Sequence, residues 1–226
     1  MLLLLPAGML ATVFWIFRFR RLSSFCIYKI AQFWARIAMP VTGCEISVRG
    51  RENIPRRGSL CIAANHSGIF DILLLLGYTG RPFGFIAKKE LALVPLINIW
   101  ILFLGGLFLD RKNPRKAIKT ISQGVRNIQS GGAMLIFPEG TRSKGRGLLP
   151  FKAGAFKLAI RAGAPILPVA ITGSYEMFEK TKLIVPSKVT IIYGKPVDAS
   201  EYESAEAKQA LADKIHAVID TLLKTC

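Results

Sequence analysis

Residues 60–71 of the chain read LCIAANHSGIFD, and this stretch decides the fold. Its first part, Leu60–Ala64, is apolar throughout, which is typical of a strand buried on both faces of a sheet. Polar residues follow at once, with Asn65, His66 and Ser67 directly after the strand. Because sites in open α/β sheets lie beyond the carboxyl ends of the strands, the stretch predicts a buried strand that delivers His66 to a functional edge.

From residue 44 onward, short apolar stretches alternate with helical segments. This alternation predicts an α/β fold, with a mixed, mostly parallel central sheet flanked by helices. No internal repeat or low-complexity linker divides the region, so one domain is expected over 44–226. The predicted strands are Glu45–Val48, Leu60–Ala64, Phe83–Ala87, Leu107–Leu109, Ala133–Phe137, Ile166–Ala170 and Lys188–Tyr193, and the predicted helices are 70–78, 95–104, 114–129, 153–162 and 203–224.

Residues 1–43 have a different character and are predicted to form a membrane-anchoring helical hairpin. An apolar run, Leu2–Phe17, precedes a cluster of three arginines, and a second, aromatic-rich helix is predicted over Leu22–Val41. The run lacks the features of a signal peptide, because bases rather than a small-residue cleavage site follow it. The alternatives are a hairpin packed on the protein's own core and a single membrane span. Attraction of the bases to anionic lipid predicts a location at the cytoplasmic face of a membrane, the inner membrane in a bacterium.

The charge of the chain narrows its partners. It carries 31 Lys and Arg against 14 Asp and Glu, a net charge of +17. A field this positive attracts polyanions, so nucleic acid, anionic lipid and phosphorylated substrates are the candidates. Nucleic acid is not expected as a partner, because no helix-turn-helix, zinc or RNP pattern accompanies the bases.

The cysteines and histidines suggest neither a metal site nor a disulfide framework. The four cysteines form no Cys-x-x-Cys pair and stand among mostly apolar neighbours, so reduced, mostly buried thiols are expected. No local Cys/His cluster of the kind that zinc sites use is present. His216 lies beside the apolar stripe of the last predicted helix and is interpreted as structural.

The other histidine, His66, is followed five residues later by Asp71. On a continuous helix this separation would place the two side chains about 140° apart, so they would not share a face. They meet if His66 ends the strand, Ser67 and Gly68 turn the chain, and Asp71 lies in the first helical turn. The carboxylate would then hold one imidazole N–H and leave the other nitrogen as a base.

Three further stretches accompany this pair: residues 106–111 (GLFLDR), 137–143 (FPEGTRS) and 166–170 (ILPVA). In this order and spacing, the four blocks resemble those of the glycerolipid acyltransferase family, the 1-acyl-sn-glycerol-3-phosphate acyltransferases. The spacers at 88–91 and 151–156 are also similar to the family's, and the resemblance covers roughly residues 44–196. One departure follows His66, where many members have a larger residue before a serine and this chain has Ser67 and Gly68.

The resemblance implies a role for each matching residue. His66 is expected to be the general base and Asp71 its orienting carboxylate. Phosphate of the acceptor is expected at Arg111, and its phosphoglycerol end at Glu139, Gly140, Thr141 and Arg142, with Lys152 as a further contact. Within that set, Glu139 is expected to orient Arg142 or to accept from a glycerol hydroxyl. The fourth block is expected to help form the acyl or acceptor pocket.

The implied reaction transfers an acyl group from acyl-CoA or acyl carrier protein to the sn-2 hydroxyl of lysophosphatidic acid. The thioester is a co-substrate, and no other cofactor and no metal is expected. Oxyanion donors are expected from the turn at Ser67 and Gly68. The alternatives are the same chemistry on glycerol 3-phosphate or another lysophospholipid, and a non-catalytic protein that binds anionic lipid at a membrane.

Overall fold

The computed structural model describes residues 20–202 and 204–225, with side chains from residue 26 onward. The helices are α1 (Arg20–Val41), α2 (Asp71–Tyr78), α3 (Ile97–Phe103), α4 (Pro114–Gln129), α5 (Lys157–Ala162) and α6 (Ala205–Lys224). The strands are β1 (Glu45–Arg49), β2 (Leu60–Ala64), β3 (Gly84–Lys88), β4 (Leu107–Leu109), β5 (Ala133–Ile136), β6 (Ile166–Thr172) and β7 (Lys188–Tyr193). Short 3₁₀ turns occupy Arg51–Asn53, Lys89–Leu93 and Ala153–Phe156, so the predicted helix over 153–162 begins as a 3₁₀ turn.

All seven strands form a single sheet in the order β1-β7-β6-β2-β5-β3-β4. The five strands from β6 to β4 are parallel to one another, whereas β7 pairs antiparallel with β6 and β1 pairs parallel with β7. The predicted mixed, mostly parallel sheet is therefore confirmed. Because β1 runs against the central strands, its beginning lies at the same edge as their carboxyl ends.

Strand β2 occupies the middle of the sheet and is completely buried. Successive side chains of a strand point to opposite faces, so Leu60, Ile62 and Ala64 join one apolar core while Cys61 and Ala63 join the other. The first core contains residues of α1 and α2, and the second contains residues of α4, α5 and α6. Helices on both faces explain why this strand reads as an unbroken apolar run.

Helix α1 corresponds to the second of the predicted N-terminal helices and packs on the protein's own core. Tyr28 and Met39 are buried, Ala35 lies against Gly77 of α2, and Arg36 donates from Nε to the Gly77 carbonyl at 2.8 Å. Phe33 on the same helix is 60% exposed. The predicted helix over Leu2–Phe17 lies outside the described residues. Within 20–202 and 204–225, the helices are all too short or too polar to cross a membrane.

Asn65 fastens the carboxyl end of β2 to the neighbouring strand β6. Its side-chain amide donates to the Ile171 carbonyl at 2.9 Å, and its side-chain oxygen accepts from the Ile171 N–H at 2.8 Å. Asn65 is buried, so these two bonds satisfy polar groups that water does not reach. The main chain therefore leaves the sheet at His66 with a fixed direction.

Candidate active site

The backbone of His66 is held on both sides by the loop that follows β5. Its N–H donates to Oε1 of Glu139 at 2.7 Å, and its carbonyl accepts from the Ser143 N–H at 2.7 Å. The imidazole stacks on the Phe137 ring, with centroids 4.0 Å apart and planes 17° from parallel. Residues 137–143 therefore position His66.

The structure brings His66 and Asp71 together, with 2.7 Å between Nδ1 and Oδ2. His66 ends the strand, Ser67 and Gly68 turn the chain, and Asp71 is the first residue of α2, which is the arrangement that the spacing predicts. The Asp71 carboxylate is completely buried, so the tautomer with hydrogen on Nδ1 is the one that satisfies it. The Nε2 atom of His66 then keeps its lone pair.

Asp71 also organises the turn between the two residues. Its Oδ2 accepts from the backbone N–H groups of Ser67 at 2.8 Å and Gly68 at 3.0 Å, in addition to the imidazole. The expectation that these two amides serve as oxyanion donors is therefore wrong, because both are already used. They hold the Asp71 carboxylate in place instead.

A cavity of about 480 Å³ opens beside His66. It lies at the carboxyl ends of the central strands, where sites in α/β sheets are expected. Its lining combines apolar and cationic side chains, together with the carboxylate of Glu90. The apolar side chains are Ile69, Ile72, Ile86, Leu91, Leu109, Ile121, Ile136 and Phe137, and the cationic ones are Lys88, Arg111, Arg142 and Lys152.

Two of these cations converge on Gly140. Arg111 donates from Nη1 to the Gly140 carbonyl at 2.6 Å, and a Cβ built on Gly140 would lie 3.0 Å from Arg111 Nη1 and 3.2 Å from Lys152 Nζ. Gly140 has a φ of +73°, a conformation that favours glycine. A side chain at this position would be strained and would displace the cations. Thr141, which follows, also lines the cavity.

The third block differs in one respect from the sequence-based expectation. Glu139 is buried and does not line the cavity, and its Oε1 and Oε2 accept from the backbone N–H groups of His66 and Leu149. The expected contact between Glu139 and Arg142 is wrong. Arg142 instead donates from Nη1 to Oε1 of Glu179 at 3.0 Å.

The fourth block also contributes differently. Residues 166–170 are buried in β6 between two neighbouring strands, and none of them lines this cavity. Strand β6 acts on the site through Ile171 and its contact with Asn65.

Sequence reasoning missed Glu179, Asn65 and Phe137. Asn65 and Phe137 lie within the quoted stretches but were given no role, although their positions at the strand ends are signals that point to this edge. Glu179 lies in a stretch without such a pattern, and only the folded chain brings it to Arg142.

Burial raises the pKa of the Glu139 carboxyl from 4.5 to about 7. The negative charge of Asp71 acts in the same direction, whereas the hydrogen bonds from the His66 and Leu149 amides oppose the shift. The group that holds the His66 backbone therefore titrates near neutral pH.

The other histidine and the three described cysteines do not line the cavity. Cys44 and Cys61 are buried free thiols, Cys26 is exposed, and burial raises the pKa of Cys61 to about 12. Cys226 is outside the described residues. His216 packs edge-on against Phe151, with centroids 4.9 Å apart, in keeping with a structural role. In the described part of the chain, His, Cys, Asp and Glu residues form no group of three or more that could hold a metal ion.

Comparison with known proteins defines the class. The acyltransferase family model matches residues 45–172. This range includes the His66–Asp71 dyad, the four cationic residues that line the cavity and most of the sheet. The chain belongs to the acyltransferase family.

Proteins named as 1-acyl-sn-glycerol-3-phosphate acyltransferases align with most of the chain. A 1-acyl-sn-glycerol-3-phosphate acyltransferase from Haemophilus influenzae is 32% identical over 205 residues, 90% of this chain and 83% of that protein. One from Borreliella burgdorferi is 30% identical over 191 residues, 83% of this chain and 76% of that protein. The crystal structure of the 1-acyl-sn-glycerophosphate acyltransferase PlsC from Thermotoga maritima superposes with a TM-score of 0.83 at 28% identity, covering 98% of this chain and 88% of that chain.

The Glu139 carboxyl predicts a pH dependence of stability. Its pKa is higher in the folded chain than the ordinary value of 4.5, so its contribution to stability is fully present below pH 4.5 and is lost as pH rises through about 7. We expect Glu139→Gln, which cannot titrate, to gain stability relative to wild type across this window, by roughly 1 kcal/mol per pH unit. Urea unfolding at several pH values measures the difference, and parallel pH profiles for the two proteins would contradict the assignment.

Proposed function

We propose that the chain transfers an acyl group from acyl-CoA or acyl carrier protein to the sn-2 hydroxyl of 1-acyl-sn-glycerol 3-phosphate. The observation that carries the proposal is the His66–Asp71 pair at the wall of a cavity that combines apolar and cationic surfaces. An amphiphilic phosphate ester requires both kinds of surface, and a hydroxyl nucleophile requires a nearby base. The relatives from Haemophilus influenzae and Borreliella burgdorferi are named for activity on the same acceptor, which supports the proposal.

In this proposal, Arg111, Arg142 and Lys152 bind the acceptor phosphate. A guanidinium offers a planar fork of N–H donors that matches phosphate oxygens, and a lysine adds a compact positive charge. Gly140 supports the role because it leaves room for Arg111 and Lys152 beside its Cα. Thr141 adds a hydroxyl at the cavity wall. The apolar walls, which include Ile72, Ile86 and Ile121, accept hydrocarbon.

His66 starts the reaction by taking the proton of the sn-2 hydroxyl at Nε2. The alkoxide oxygen attacks the thioester carbonyl carbon, and a C–O bond forms as the carbonyl becomes a tetrahedral oxyanion. The oxyanion collapses, the C–S bond breaks, and the thiolate leaves with the electron pair. The imidazolium returns its proton to the thiolate, so one ester and one thiol replace one alcohol and one thioester. Asp71 stabilises the imidazolium while it exists.

Direct transfer to the acceptor is favoured over an acyl-enzyme. Ser67 is the hydroxyl residue next to the base in sequence, but its Oγ lies 2.7 Å from Oγ of Ser174 and pairs with it. A serine nucleophile would instead share a hydrogen bond with the imidazole. The substrate hydroxyl takes that place here.

The proposed location is the cytoplasmic face of a membrane, with residues 1–43 as the anchoring segment and 44–226 as the catalytic domain. Exposed apolar side chains at the catalytic edge support it. Leu93 is 85% exposed in the turn after β3, and Leu183 is 69% exposed shortly before β7 begins. Lys88 and Lys182 are exposed beside them, and lysines are attracted to anionic head groups.

The dyad makes a direct prediction about turnover. His66→Ala removes the general base and is expected to lower kcat roughly 100- to 10,000-fold. Asp71→Asn is expected to lower it strongly as well, because the amide favours the wrong tautomer. Steady-state assays with purified protein and lysophosphatidic acid measure both. His216→Ala and Asp213→Asn serve as matched controls of the same residue types, and near-normal turnover in a folded His66→Ala protein would refute the mechanism.

The cations make a prediction about the acceptor. Arg111→Gln and Arg142→Gln are each expected to raise the KM for lysophosphatidic acid roughly tenfold or more, because a hydrogen bond between charged groups contributes about 1.5–3 kcal/mol. The KM for the thioester is expected to change little. Arg115→Gln, at an exposed arginine of α4, is the control. Equal use of lysophosphatidic acid and its dephosphorylated monoacylglycerol by the wild type would contradict the phosphate site.

Membrane attachment is expected to resist salt. Apolar burial in lipid does not weaken with ionic strength, whereas screening removes only the electrostatic part. Fractionated cells should therefore retain the protein in the membrane pellet after a high-salt wash and release it in detergent. Complete release by salt alone would show that a peripheral basic patch is the only attachment.

A further inference from the structure

The segment from Ser174 to Val185 lies beyond the residues that match the acyltransferase family. It packs on the turn at residues 66–70, which connects β2 to α2. Ser174 pairs with Ser67 through their hydroxyl groups, and the ring of Phe178 stands edge-on to that of Phe70 at 6.3 Å. Glu179 of the same segment accepts a hydrogen bond from the Ile69 N–H. Three residues of the turn, Ser67, Ile69 and Phe70, therefore contact this segment.

Glu179 joins this turn to the cation that lines the cavity. Its side chain is 3% exposed, and its Oε1 accepts from both the Ile69 N–H and Arg142 Nη1. Its Oε2 is buried and has no hydrogen-bond partner among the described residues. The Arg142 side chain is 37% exposed and reaches the cavity wall.

The charge of Glu179 holds Arg142 in one position. A buried carboxylate is costly unless a cation compensates it, and Arg142 is the cation within reach. The arginine is therefore drawn to one position, while the other N–H groups of its planar fork remain for a second acceptor. An arginine fixed in advance loses less conformational entropy when it binds an anion.

We propose that Glu179 is a positioning residue that holds Arg142 ready for the acceptor phosphate and couples it to the turn carrying His66. The inference rests on the proposed function. It gives Glu179 no contact with substrate, because the carboxylate is buried behind Arg142.

The test compares Glu179→Gln and Glu179→Ala in the full-length protein, with lysophosphatidic acid as the probe. Glutamine keeps an oxygen for the Ile69 N–H but loses the charge, so the acceptor KM is expected to rise about fivefold with kcat nearly unchanged. Alanine also frees the Ile69 N–H and is expected to lower kcat as well. Glu176→Gln is the matched control, because Glu176 is exposed, lies in the same segment and pairs with the exposed Lys180.

A double-mutant cycle identifies the route of the effect. If Glu179 acts through Arg142, Glu179→Gln should have no further effect on the acceptor KM in an Arg142→Ala background. The KM for the thioester should be unchanged in every variant. Thermal unfolding of each protein separates loss of positioning from loss of fold.

Two outcomes would overturn the inference. A lower acceptor KM in Glu179→Gln would show that the carboxylate competes with the phosphate for Arg142 instead of positioning it. An unchanged KM would show that Arg142 finds its position without Glu179. Both require a wild type that acylates lysophosphatidic acid, whereas failure of the wild type itself would refute the proposed function.

Discussion

A single buried oxygen, Oδ2 of Asp71, is the point on which the site depends. Three N–H groups converge on it, from the His66 imidazole and the Ser67 and Gly68 backbone. A fully buried carboxylate requires such compensation, since its desolvation is otherwise prohibitive. The same bonds define the tight turn, orient the imidazole and begin helix α2. A change that removed this carboxylate would therefore alter the chemistry and the local fold together.

Acidic residues are scarce in this chain, and three of the fourteen surround the turn at residues 66–70. Asp71, Glu139 and Glu179 are all buried, and each accepts from at least one backbone N–H of residues 66–69. The backbone that presents His66 is thus held by side-chain carboxylates from three separate parts of the sequence. Fixed carboxylates of this kind preorganise a site, because they do not rearrange when the substrate arrives.

The sequence alone predicted the elements of the fold because their signals are local. Each predicted strand is an apolar run bounded by turn residues, and the observed limits of Leu60–Ala64, Leu107–Leu109 and Lys188–Tyr193 agree with the prediction. The His66–Asp71 contact was also accessible, since strand, turn and helix start lie within one short stretch. Local pattern sufficed for these strands and for this contact.

Other hydrogen bonds of the site, both within the turn and between distant segments, were not accessible in this way. The N–H groups of Ser67 and Gly68 donate to Oδ2 of Asp71 because of the geometry of the turn. The sequence equally allowed those N–H groups to face a substrate. The partner of Arg142 lies 37 residues away in a stretch without a motif. Glu139 points to the backbone of His66, 73 residues away in the sequence, rather than to the cavity. These hydrogen-bond partners are set by tertiary packing, which a local sequence pattern does not reveal.

The position of the cavity has a physical consequence for the proposed lipid substrate. Moving an acyl chain through water costs about 0.8 kcal/mol for each CH₂ group, so a long-chain acceptor cannot cheaply leave the bilayer to reach a distant site. Leu93 and Leu183 are exposed at the edge where the cavity lies, and both are suited to contact hydrocarbon. Placing the catalytic edge against the membrane would allow the acyl chain to stay in an apolar environment while its phosphate reaches Arg111 and Arg142. The cavity that His66 lines therefore offers both apolar and cationic side chains to a ligand that has an acyl chain and a phosphate.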